Sequence, residues 1–174
     1  MNWINHYIDQ PLLNGATTWL RTWHIRTGQR PDRLETLWHM AVALTLLAAT
    51  VFFFSGVPLA LSWAAIVMLM VPSATKLYRS QRDGATYGSA DFKALRARAI
   101  VKRETEWALR LTILAVSAGL PYIARIDDPV GARFLLGATL WFVLTAPVKF
   151  YLDAAEPPTP HDGDRLCDGK FQFN

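Results

Sequence analysis

From Met40 to Thr75 the chain carries no Asp, Glu, Lys or Arg across 36 consecutive positions. As a single α-helix that run would extend about 54 Å at 1.5 Å per residue. A bilayer's hydrocarbon core is about 30 Å thick and is crossed by about 20 residues. One helix is therefore too long, and two helices joined by a tight turn fit. Ser55-Gly56-Val57-Pro58 supplies that turn, with Gly to end one helix and Pro suited to the first turn of the next. Asp32 with Glu35 three residues on has the form of a capping box, so the first span is expected from about Arg33 to Phe54. The second is expected from Pro58 to Tyr78.

Two shorter uncharged runs follow, 14 residues from Leu111 to Ala124 and 15 from Phe134 to Val148. With Arg110, Arg133 and Lys149 snorkelling to the headgroups, Trp107–Ile126 and Arg133–Leu152 each reach about 20 residues. Asp127-Asp128-Pro129-Val130-Gly131 reads as the turn between them. The expected fold class is all-α: a polytopic membrane protein with four transmembrane helices in two hairpins, preceded by an N-terminal amphipathic segment. Composition agrees, since hydrophobic residues make up 52% and charged residues 18%, against about 25% charged in soluble domains. Disorder and a fibre are excluded, and so is a disulfide scaffold, because Cys167 is the sole cysteine.

Lys and Arg are unevenly shared: 4 in the first 39 residues, 9 in 76–110, and none between the first two spans. The positive-inside rule then places both termini and the middle loop in the cytoplasm of a bacterial inner membrane. The N-terminus starts polar, so the first apolar run reads as a span and not as a secretory signal.

The chain divides into an amphipathic segment 1–31, a first hairpin 32–78, a basic loop and helix 79–106, a second hairpin 107–152 and an acidic, Pro-rich tail 153–174. In the first segment Trp3, Ile4, Tyr7 and Ile8 share a helical face, Pro11 interrupts, and Trp19, Leu20 and Trp23 repeat the pattern. Trp3, Trp19, Trp23, Trp38 and Trp107 are candidate interfacial anchors; the alternative is that the first segment covers the cytoplasmic end of the bundle. Ser89 is the expected cap of a helix that continues unbroken into the third span, because no Gly or Pro intervenes before Gly119. On it Phe92 and Leu95 mark an apolar face, and Lys93, Arg96, Arg98, Lys102 and Arg103 form a basic cluster. These seven residues are the candidate docking site, for anionic lipid first and a protein partner second. Nucleic acid ranks last, because no aromatics interleave the charges. The tail, with Pro157, Pro158 and Pro160, is expected to be mobile or to order only against a partner.

Catalytic chemistry is not in view. His6, His24, His39 and His161 lack metal-ligand spacing, and there is no nucleophile elbow or phosphate loop. No catalytic, cofactor or metal site is expected. Arg110 and Lys149 read as snorkelling side chains, with Glu106 four residues before Arg110 as a helical pair. Ala60 with Ala64, and Ala115 with Gly119, have the small-residue spacing that lets helices approach, within the bundle or between subunits.

Ala85-Thr86-Tyr87-Gly88-Ser89-Ala90-Asp91-Phe92, just after the first hairpin, resembles the post-hairpin segment of the coupling proteins of conjugative type IV secretion systems. Asp91 stands where that family has a basic residue, and no ATPase domain follows, so ATP hydrolysis does not carry over. The resemblance implies a place in the membrane assembly of a transfer apparatus. The reading of function is a non-catalytic inner-membrane scaffold or accessory subunit that acts by protein–protein docking. The alternative is a small oligomeric channel or transporter. Membrane lipid and other subunits of the complex are the expected partners, with a homo-oligomer left open.

Overall fold

The computed structural model describes residues 2–82, 87–123 and 129–160. They form six helices: α1 (Gln10–Thr27), α2 (Asp32–Phe53), α3 (Gly56–Arg82), α4 (Ser89–Thr105), α5 (Trp107–Ile123) and α6 (Pro129–Ala154). α1 is entered through a helical turn at Asn2–Ile4 and a π-helical stretch at Asn5–Asp9. Three helices, α2, α3 and α6, are long and apolar enough to cross a membrane. α5 is apolar over Trp107–Leu120 but too short to qualify on its described residues; Ile126, the expected end of that span, lies outside them.

The helices are arranged around α6, which packs against α1, α2, α4 and α5, while α3 lies against α2. Side-chain ties place the first turns of α2 and α5 and the last turns of α3 and α6 at one end of the bundle. Arg33 donates from Nε to Ser80 Oγ at 2.6 Å, and Glu35 lies 3.9 Å from Lys76 and 3.8 Å from Lys149. The densest packing is at this end, where Leu13, Ala16 and Leu20 of α1 meet Leu34, Tyr151, Leu152, Ala154 and Ala155. Further along, the apolar helices bury little against each other, and only 6% of the α3 window is covered by protein. Lipid is an adequate solvent for such faces, so nothing drives them into a protein core.

Polar groups along the apolar helices bond locally. Thr45, Thr50, Ser62, Thr112 and Thr145 all donate to carbonyls three or four residues back. Pro147 sits inside α6, where its ring and missing N–H disturb the preceding turn, and Trp38 Nε1 donates to the Leu144 carbonyl there at 2.6 Å.

Several expectations are corrected. Pro11 does not interrupt the first segment; the helix passes through it, with the preceding turn widened to π geometry so that Gln10 N–H reaches Asn5 O. The capping box at Asp32 does not form. Asp32 lies within the first turn, no side chain caps that helix start, and Glu35 turns to Lys76 and Lys149 instead. The second span begins at Gly56, whose φ of +63° reverses the chain, and runs past Tyr78 to Arg82. Gly88, not Ser89, is the N-cap of α4. The turn expected at 127–131 is already helix from Pro129, and its first two residues lie outside the described set.

The middle helix and the third span are two helices, divided at Glu106, without Gly or Pro. The described start of the tail, through Pro160, packs against the bundle. Ala155, Pro157 and Pro158 are buried, Glu156 N–H donates to Thr17 Oγ1 at 3.2 Å, and Tyr87 donates its hydroxyl proton to Pro158 O at 2.8 Å. His161, Cys167 and the rest of the acidic tail lie outside the described residues.

Candidate functional site

The charged end of the bundle is where side-chain chemistry concentrates. Its centre is an ion pair between Asp9 and Arg110, each 1% exposed. Asp9 closes the π turn and shares the inner face of the first segment with Leu13, Ala16, Leu20 and His24, all buried at helical spacing. Arg110 grips it bidentately, Nη2 to Oδ2 at 2.8 Å and Nε to Oδ1 at 3.3 Å. Its remaining nitrogen, Nη1, donates to the carbonyls of Lys102 at 3.0 Å and Arg103 at 3.3 Å. Those carbonyls belong to the last turn of α4, and that of Lys102 also accepts the Glu106 N–H at 3.0 Å. One guanidinium therefore closes α4, starts α5 and anchors α1. Tyr151 lies beneath it, with its ring centroid 5.9 Å from the guanidinium carbon.

Arg110 is thus enclosed by protein and does not snorkel, and its partner is Asp9 instead of Glu106. Glu106 pairs with Lys102 at 3.0 Å. The signal for Asp9 was present in the sequence as an acidic residue four before Leu13 on the apolar face of the first segment. It was missed because Pro11 reads as a break.

The candidate docking residues of α4 divide into two groups. Phe92 is buried and Leu95 half-buried, both facing the bundle. Lys102 reaches Asp153 at 3.5 Å as well as Glu106, and Arg103 donates from Nε and Nη2 to Ala154 O. Arg98 pairs with Asp153 at 3.4 Å and Arg96 with Glu156 at 3.3 Å, although both cations remain more than half exposed. Much of the basic cluster therefore neutralises the acidic end of α6 and the start of the tail. Lys93 points outward, and Ile100 and Val101 are exposed at 47% and 58%.

Between these ties lies a cavity of about 130 Å³, with Glu35, Asp153, Lys76 and Arg98 in its wall above Leu20, Leu95 and Leu152. Carboxylates and cations both line it, so it has no single sign of charge with which to select an ion. Among the described residues no group of His, Cys, Asp and Glu could hold a metal.

The segment around Tyr87 fastens this end from the outside. Tyr87 is buried, meets His24 edge-on at a centroid distance of 5.0 Å, and holds Pro158. Burial foremost, then the negative charges of Asp91 and Asp32, raises its phenol pKa above the ordinary value, against the lowering effect of Arg30. Asp91 accepts the Gly88 N–H at 3.4 Å and lies 3.5 Å from Arg30. A carboxylate at this place serves the helix start and the α1–α2 connection, which a basic residue would not do.

No family model, curated protein or solved structure matches the chain.

Of the candidate anchors, Trp3 is exposed, while Trp23 packs on the core and Trp107 is half-buried. Trp19 stands edge-on to Trp38 at a centroid distance of 5.3 Å. The small-residue pairs do not form the helix contacts within the bundle: Ala60, Ala64 and Ala115 are exposed, and a Cβ on Gly119 would meet no atom within 4 Å.

Proposed function

We propose that the chain is a non-catalytic subunit of a bacterial inner-membrane complex. It crosses the bilayer four times in two hairpins, keeps both termini in the cytoplasm, and acts by docking another protein on the outer face of α4. The observation that carries this reading is the split character of α4. Its other cations pair with Asp153, Glu106, Glu156 and Ala154 O, two of them while still more than half exposed, whereas Lys93, Ile100 and Val101 face outward without such ties. Exposed apolar side chains beside charges, on a helix outside the membrane-crossing ones, have the make-up of a protein-docking face. The resemblance at 85–92 favours a transfer or secretion apparatus as the setting.

The test is extraction of the full chain in mild detergent, followed by native mass measurement and identification of co-purifying subunits. Stoichiometric capture of other membrane-complex proteins is expected, with loss of capture in a Lys93→Glu, Ile100→Glu variant that still inserts. A homogeneous homo-oligomer that conducts ions or solutes in liposomes would instead support the channel reading.

A further inference from the structure

Lys93, Arg96, Ile100 and Arg103 follow one another at intervals of three, four and three residues. That spacing sets them on one flank of α4, over about 15 Å of helix. The opposite flank is committed to α6, since Arg98 and Lys102 converge on Asp153 at 3.4 and 3.5 Å.

The Lys93 flank meets the start of the tail instead, and its guanidinium groups retain donors. Arg103 directs Nε and Nη2 to one acceptor, Ala154 O, at 3.3 and 3.1 Å, which leaves Nη1 outside that contact. Arg96 Nε lies 3.3 Å from Glu156 Oε1, without the two parallel hydrogen bonds that join Arg110 to Asp9, and the two side chains are 54% and 50% exposed. Arg96 and Arg103 line a notch of about 120 Å³ with Ala99, Ile100 and Glu156.

The chain therefore sets a carboxylate of its own against this stripe. An exposed ion pair of that kind is weak and is readily exchanged for another. The flank also keeps a net positive charge, because Lys93, Arg96 and Arg103 stand against Glu156 and Glu104. Guanidinium donors match the geometry of a carboxylate, and complementary charge selects a partner and fixes its register.

Resting on the docking role of α4 proposed above, we infer that the docked protein presents an acidic segment. One of its carboxylates enters the notch between Arg96 and Arg103 in place of Glu156, a second reaches Lys93, and an apolar side chain lies against Ile100.

The probe is a short fluorescein-labelled peptide of Glu, Leu and Ser, followed by anisotropy on the full chain in phosphatidylcholine nanodiscs. Versions with Gln or Lys in place of Glu should bind about tenfold more weakly. Lys93→Gln with Arg96→Gln should weaken the Glu peptide to the same degree, and Glu156→Gln should tighten it. Arg79→Gln with Arg82→Gln removes equal charge from exposed positions at the end of α3 and should change nothing. Equal binding of the Gln peptide, or an equal loss in the α3 control, would overturn the inference. So would tighter binding of short-chain phosphatidylglycerol, measured by displacement of the peptide, which would assign the stripe to lipid headgroups. A dimer in mild detergent that dissociates on Lys93→Gln with Arg96→Gln would assign it to a second copy and overturn the inference as well. If subunit capture still requires Ile100 while the Glu peptide fails to bind, the docking reading stands and the acidic partner alone falls.

Discussion

At the scale of single residues, Arg110 and Tyr87 carry the most consequence. A buried ion pair is weak evidence of net stabilisation, but removing one partner leaves an uncompensated charge. Asp9→Ala should therefore cost about 3–5 kcal/mol, read as a shift in the detergent-unfolding midpoint of the reconstituted chain. Arg110→Lys should not restore the loss in full, since one ammonium cannot bridge both Asp9 oxygens and the two α4 carbonyls. Tyr87→Phe removes one hydrogen bond and should weaken the docking of 155–160 by about 1 kcal/mol, measured as faster amide exchange at Ala155 and Glu156. Its pH dependence has a definite sign. The folded-state pKa is raised, so the phenol's contribution is complete below the ordinary value of 10.0 and is lost as pH climbs above it. Exchange at Ala155 should accelerate on that alkaline side in the native chain, and the Phe variant should lose this tyrosine-dependent rise.

At the scale of elements, helix ends are decided by left-handed glycines in two places and by a side chain in a third. Gly28 closes α1 at φ +65°, its N–H bonded to His24 O at 2.8 Å, with open space around its α-carbon. Gly28→Ala should cost about 1–2 kcal/mol in the same unfolding measurement, from backbone strain alone. The sequence showed the two long apolar helices on either side of Gly56 well because an uncharged run, a Gly and a Pro are local signals. It showed the split between α4 and α5 poorly because nothing local marks Glu106. That break is held by Arg110, whose anchor is Asp9 about a hundred positions away, and periodicity cannot register such a contact. The start of the tail, 153–160, was misread for a related reason. Three prolines forbid a helix, yet they do not forbid an extended strap when Tyr87 and Thr17 supply its partners. The cationic character of α4 was legible from composition, whereas the direction of each charge required the position of Asp153.

At the scale of the whole molecule, the chain separates its two tasks by position. The apolar helices contribute length and outward-facing surface, and their polar side chains bond mostly to their own backbone. Among the described residues, ionisable groups collect mostly at one end, where they tie the first segment to α5 and α4 to α6 and the start of the tail, and leave exposed the outer face of α4 on which docking is proposed. That division requires the Ser55–Gly56 turn and α4 to lie on opposite sides of the bilayer, with Thr159 on the side of α4. Membrane-impermeant maleimide labelling of single cysteines, in a Cys167→Ser background, tests this directly. Ser55→Cys should react in intact cells, whereas Lys93→Cys and Thr159→Cys should react only after permeabilisation. Reaction of Ser55→Cys and Lys93→Cys from the same side would contradict the account.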